Sequence, residues 1–153
     1  MKINENYFQR LLYDTDAIEA VATLSGFWSG RLDSGLKKLG LSDPEWKVQL
    51  ILIYSGEVLN GGFTQYFLNR GLETLFDTCS ALKEVELSEC ADLAEKAGNK
   101  FAKFESGKIT EEECALSLQK YDVLAFRRLS VVDEALLRFL RKNEELLLVP
   151  ERA

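Results

Sequence analysis

The stretch LNGGFTQYFLNRG, residues 59–71, decides how this chain folds. Its Asn-Gly-Gly triplet at 60–62 follows an apolar helical pattern. Because Asn and Gly tolerate the left-handed backbone that closes a helix, the triplet predicts a helix stop followed by a new helix start. Phe63 and Phe67 then lie one helical turn apart. The stretch therefore predicts two helices that meet at a sharp break lined with aromatic side chains.

Three amide side chains share this junction, namely Asn60, Gln65 and Asn69. A buried amide without a partner costs about 1–3 kcal/mol, and helix ends leave backbone N–H and C=O groups open. We therefore expect the three amides to be largely buried and hydrogen-bonded to the backbone at the break. The alternative is a small-molecule pocket built from the amides and the aromatic rings together.

Helical periodicity continues along nearly the whole chain, which has 153 residues and two prolines. No β-type alternation is sustained, and this length suits one domain. The sequence thus predicts an all-α, single compact domain over residues 1–153, with about six to eight helices. Start signals predict helices beginning near the following residues: Asn4, Thr15 or Asp16, Ser42 or Asp43, Ser88, Thr110 and Ser130.

Finer expectations concern the second helix and the ends of other elements. The second helix is predicted to bury Ile18, Val21 and Ala22 and to break or kink near Gly26. A third piece over residues 32–39 is predicted to end at Gly40, and the tail at 146–153 to pack against the body.

Composition excludes several classes of function. The chain has no His, which removes imidazole catalysis and His-containing metal sites. Its three Cys are far apart, which is typical of reduced thiols in a cytoplasmic protein. The net charge of −6 disfavours direct nucleic-acid binding. We expect no cofactor, no metal, no enzymatic activity, no secretion signal and no membrane span.

The segment NGGFTQYFLN closely resembles the signature NGGFxQYFxN of a family of small helical bacterial domains, named after a DNA-mimic protein and largely of unknown function. The upstream capped helix and the late segment YDVLAFRRLSVVDEALLRFL agree more loosely. The resemblance implies an all-helical fold. For the founding mimic it implies an acidic dimer that occupies the DNA-binding surface of a transcription regulator. The matching residues are Asn60, Gly61, Gly62, Phe63, Gln65, Tyr66, Phe67 and Asn69.

Negative charge is concentrated in residues 84–113, which hold nine acids and four lysines. The favoured interpretation is an ordinary solvated helix face, with further acids at helix N-termini, where the helix dipole favours them. The alternative is that part of this segment forms one outward acidic patch that binds a partner. The candidate face comprises Glu84, Glu86, Glu89, Asp92, Glu95, Glu111, Glu112 and Glu113.

The functional expectation is a non-enzymatic acidic protein that binds a basic macromolecular partner. In one form it is a DNA mimic that sequesters a DNA-binding regulator, with a homodimer doubling the acidic patch. In the alternatives it is an immunity protein that neutralises a toxin, or a small-molecule-binding domain that uses the aromatic and amide corner.

Overall fold

The computed structural model describes residues 4–29 and 40–147. The predictions for residues 32–39 and for the end of the tail lie outside these ranges. Within them the chain forms seven α-helices and no strand, which confirms the all-α prediction. The helices are α1 (Glu5–Tyr13), α2 (Ala17–Ser29), α3 (Asp43–Arg70), α4 (Leu75–Glu84), α5 (Ser88–Glu105), α6 (Glu111–Arg128) and α7 (Val132–Lys142).

Contacts between residues divide the chain into two compact units. One unit combines residues Met1–Gln49 and Asp133–Ala153, and the other is the continuous segment Leu50–Val132. The expectation of a single domain over residues 1–153 stays a prediction.

In the first unit, helix α1 contacts the end of α7 and the residues that follow it. The side chain of Asn4 accepts a hydrogen bond from the Tyr7 N–H at 2.9 Å and so caps α1, as predicted. At the other end of α1, the Arg141 guanidinium lies 5.5 Å from the centre of the Tyr13 ring. The Tyr13 hydroxyl donates to Glu144 at 2.5 Å. These contacts hold helix α1 and the segment after α7 together.

Two expectations for helix α2 are wrong. Ile18 is 69 % exposed and Ala22 is exposed, whereas Val21 is buried as predicted. Instead of Ile18 and Ala22, the residues that face the core are Ala20, Leu24 and Trp28, which recur every four residues along the helix. The helix also continues through Gly26 to Ser29, because a single glycine costs only about 1 kcal/mol in a packed helix.

In the second unit, α5 lies between α4 and α6 and contacts both. Its inward stripe consists of Cys90, Ala94, Ala97 and Phe101, which recur every three or four residues and are all buried. Helix α6 begins after the predicted start residue Thr110 with a capping box, in which Glu113 N–H donates to Thr110 Oγ1 at 3.1 Å. Helices α5 and α6 run antiparallel, as the ion pair between Arg128 at the end of α6 and Glu89 at the start of α5 shows. This hairpin positions most of the predicted acidic residues.

Candidate functional site

The Asn-Gly-Gly triplet breaks helix α3 as predicted, and each glycine makes room for a different side chain. Gly61 has φ −152° and ψ 19°, and Gly62 has φ 74° and ψ −174°, a region essentially reserved for glycine. A Cβ on Gly61 would lie 2.1 Å from Gln65 Oε1. A Cβ on Gly62 would lie 2.4 Å from Asp122 Oδ2. No other residue type fits either position without displacing these groups.

Asp122, in the middle of α6, caps the helical segment that restarts after Gly62. Its Oδ1 accepts a hydrogen bond from the Phe63 N–H at 2.7 Å, across 59 residues of sequence. Burial raises the pKa of this half-buried carboxyl, and the Phe63 N–H offsets part of that rise. Sequence reasoning missed this residue. The only signal was its place in the segment YDVLAFRRL, which resembles the family.

The aromatic residues of the motif point into the second unit. Phe63, Tyr66 and Phe67 are fully buried. The Tyr66 ring packs edge-on against Tyr54 at 5.3 Å between centroids, and Phe67 stacks on Phe101 at 4.9 Å. These rings therefore form part of the core and leave no aromatic wall for a ligand.

The amides point the other way, so the expectation of buried amides bonded to the backbone is wrong. Asn60 and Asn69 are exposed and Gln65 is half-buried. Gln65 Nε2 and Asn69 Nδ2 each donate to Glu57 Oε2 at 2.8 Å, and Asn60 Nδ2 donates to Gln65 Oε1 at 3.3 Å. The helical spacing that turns the aromatic rings inward turns these side chains outward, where a carboxylate collects their N–H groups.

Glu57 is the centre of this polar cluster and was missed in the sequence analysis. Its side chain is only 14 % exposed, and Arg70 Nη2 lies 3.3 Å from its second oxygen. Burial alone would raise the pKa of Glu57, but the hydrogen bonds from Gln65 and Asn69 and the charge of Arg70 outweigh burial and lower it. The sequence signal for Glu57 was its position about one helical turn before the break at Asn60 and Gly61.

The cluster borders a surface depression of about 400 Å³. Leu52, Ile53 and Gly56 complete its lining, and no aromatic ring takes part. Aromatic rings and amides thus lie on opposite sides of the helix and do not form one pocket.

The eight candidate acidic residues are all exposed, but they form two groups. The first group, Glu84, Glu86, Glu89, Asp92 and Glu95, surrounds the turn between α4 and α5. The second group, Glu111–Glu113, lies at the start of α6, which in this antiparallel hairpin is the opposite end of α5. Since α5 has 18 residues, its ends are about 27 Å apart. The eight residues therefore do not lie together in a single outward patch.

Positive side chains lie among and between these groups. Lys83 Nζ is 2.7 Å from Glu95 Oε1, and Arg128 pairs with Glu89. Lys96, Lys100 and Lys103 follow at helical spacing along α5, so its outward side changes from acidic to basic. Two of the five carboxylates near the α4–α5 turn are thus paired with cations.

Within the described part of the chain, no cluster of His, Cys, Asp or Glu could hold a metal ion. The three thiols Cys79, Cys90 and Cys114 are free and buried. Nor does any helix there have the length and apolar character needed to cross a membrane.

Comparison with models of protein families gives a match to the family described as DMP19-like protein, over residues 39–149. The match covers the motif, the residue that caps it and both acidic groups. Searches of curated proteins and of solved structures give no match.

Proposed function

The chain belongs to the family of DMP19-like proteins, and on that premise we propose that it is a non-catalytic acidic protein of the bacterial cytoplasm that binds a basic partner protein. The observation that carries this proposal is the group of exposed carboxylates around the α4–α5 turn. Such a local excess of one charge attracts a basic surface and speeds its association.

Two further features support a binding role over catalysis. The chain has no His, and its thiols are buried with pKa values raised by burial, which disfavours the nucleophilic thiolate. The polar cluster around Glu57 has its hydrogen-bonding groups directed at one another, as expected of a structural network.

We favour a DNA-binding regulator as the partner, with a toxin as the alternative. A regulator that binds DNA phosphates presents a basic surface, and the carboxylates at the α4–α5 turn would bind that surface in place of DNA. The lysines along α5 restrict this mimicry to a short surface. The carboxylates are therefore proposed to cover only part of the regulator's DNA-binding surface, and not the length that a long duplex would cover.

The test is affinity capture from a bacterial extract with the purified protein, at 50 and 200 mM salt. The variant Glu84→Lys with Glu86→Lys reverses charge at the turn. Its matched control, Glu105→Lys with Glu112→Lys, makes the same charge change at the far end of the hairpin. We expect the first variant to lose the partner by at least about tenfold, since like charges across an interface cost several kcal/mol, and the control to retain it. Capture that survives in both variants contradicts the proposal.

Added duplex DNA separates the two kinds of partner. A captured regulator should be displaced by DNA, because DNA and this protein compete for the same basic surface. A toxin held by an immunity protein should remain bound when DNA is added.

A further inference from the structure

A groove of about 390 Å³ runs between α4 and α5 on the outside of the second unit. Leu72, Leu75 and Phe76 line one side, and Glu95, Gly98 and Asn99 line the other. None of the residues discussed for the motif contributes to it. The groove is therefore separate from the polar depression around Glu57.

Gly98 explains why the two helices approach so closely at this groove. A Cβ at this position would lie 2.2 Å from Leu75 Cδ2. The Leu75 side chain thus lies directly against the α5 backbone. An alanine here would push the end of Leu75 away from α5, into the space that the groove now leaves open.

Phe76 forms a wall of the groove yet is 81 % exposed. Leu72 and Leu75 line the groove beside it, so Phe76 belongs to a contiguous apolar surface, which is the kind that marks interaction sites. A small molecule bound here would stay mostly in solvent, because the wall itself projects from the surface. A larger partner would bury the wall and its own apolar side chains together.

The charge beside the groove is negative. Glu95 lines it and is half-exposed, Asp92 precedes Glu95 by one turn, and Lys83 offsets one of these two charges. Their field reaches the groove: burial is the main reason that the pKa of Cys79 rises to about 11, Glu95 and Asp92 raise it further, and Lys83 lowers it. A cationic partner side chain would therefore gain from placement next to Glu95.

We propose that the α4–α5 groove binds one face of a basic amphipathic helix of the partner protein. The partner's apolar side chains would cover Phe76 and Leu75, and its Lys or Arg side chains would lie against Glu95 and Asp92. A helix in a groove presents apolar anchors at i, i+3, i+4 and i+7, which suits a channel between two helices. This inference rests on the proposed function, since it names the part of the basic partner that is recognised.

The test uses a synthetic 18-residue helical peptide with Leu at i, i+3, i+4 and i+7 and Lys on both flanks of that face. It is titrated into the ¹⁵N-labelled full chain and followed by NMR chemical shifts. Two control peptides carry Glu in place of Lys, or the same residues in scrambled order. We expect saturable shifts at Phe76, Cys79 and Asn99 with the first peptide only.

Variants then locate the contact. Phe76→Ala removes the exposed wall and should weaken peptide binding at least about tenfold, as expected of a buried aromatic anchor. Phe126→Ala is the matched control, because Phe126 is an exposed aromatic of α6 outside the groove, and it should bind as the parent does. Shifts elsewhere, equal binding of the scrambled or acidic peptide, or full binding by Phe76→Ala overturns the proposal.

Capture of the natural partner distinguishes this inference from the proposed function. A partner that is lost by the charge-reversed turn variant but retained by Phe76→Ala contradicts the groove and leaves the proposed function standing. A partner lost by both variants supports both. If the extract yields no partner, the proposed function fails, and the peptide titration alone decides the groove.

Discussion

Two carboxylates, Glu57 and Asp122, organise the motif without belonging to it. Glu57 gathers the side-chain N–H groups of Gln65 and Asn69, and Asp122 receives the backbone N–H of Phe63. The motif could be recognised from the sequence, but the two residues that accept its hydrogen bonds could not. Glu57 lies just upstream, where its position one turn before the break is only a weak signal, and Asp122 is far along the chain.

Replacing Glu57 by Gln should lower the free energy of unfolding at pH 7 by about 1–2 kcal/mol, since hydrogen bonds to a charged group are worth about 1.5–3 kcal/mol and Gln keeps one acceptor. The pKa of Glu57 is lowered in the folded protein from its ordinary 4.5. Its contribution is therefore complete above that value and is lost as the pH falls through the folded pKa. Urea unfolding should show the difference between variant and parent shrinking from pH 7 to pH 3.

The pH dependence has an internal check. Burial raises the pKa values of Asp122 and Asp133, so these groups act in the opposite direction, but both remain in parent and variant and largely cancel in the difference. The control Glu112→Gln changes an exposed carboxylate and should leave stability within about 0.5 kcal/mol. A difference that stays constant with pH would show that the Glu57 charge is not what stabilises the cluster.

At the scale of helices, local signals predicted starts well and orientations less well. The capping box at Thr110 follows from side chains that bond to nearby backbone, whereas α5 begins at the predicted Ser88 without a side-chain cap. The inward face of α2 was misassigned, because a helix with apolar residues on several sides, such as Ile18 and Leu24, does not reveal which side packs. Which side of α2 packs inward depends on the neighbouring helices, and local periodicity carries no information about them.

Gly62→Ala tests the break in α3. Its φ of 74° is strained for alanine, and the new methyl would collide with the Asp122 carboxylate and displace the cap. We expect a loss of about 2–4 kcal/mol in urea unfolding, from backbone strain of about 1–3 kcal/mol and a lost cap of about 1 kcal/mol.

The same substitution at Gly56 is the matched control. Gly56 is helical, lies in the same helix and has open space where the methyl would go. Alanine there should stabilise the protein by about 0.5–1 kcal/mol. If both alanines had the same effect, the special role of Gly62 would be refuted.

For the whole molecule, the distribution of charge matters more than its total of −6. Duplex DNA carries one negative charge per about 1.7 Å of its axis, whereas the outward side of α5 changes sign within about 27 Å. The sequence revealed the acidic segment, but not that a hairpin would separate its two ends. That separation depends on which helices pair.

The thiols give a test of the folded chain as a whole. All three cysteines are buried and burial raises the pKa of each. We expect Ellman's reagent at pH 8 to react slowly with the native protein and rapidly with three thiols in 6 M guanidinium. Rapid reaction of a thiol in the native state would contradict the packing described for α4, α5 and α6.

The cap that Asp122 provides to Phe63 also orders events on the ribosome. The two residues are 59 positions apart, and at about 5–20 residues per second the acceptor is synthesised roughly 3–12 s after the donor. During that interval the restarted segment of α3 lacks its cap, and Phe67 lacks the ring of Phe101 for part of the time. The aromatic residues of this segment therefore stay without their native cap and part of their packing until α6 has been synthesised.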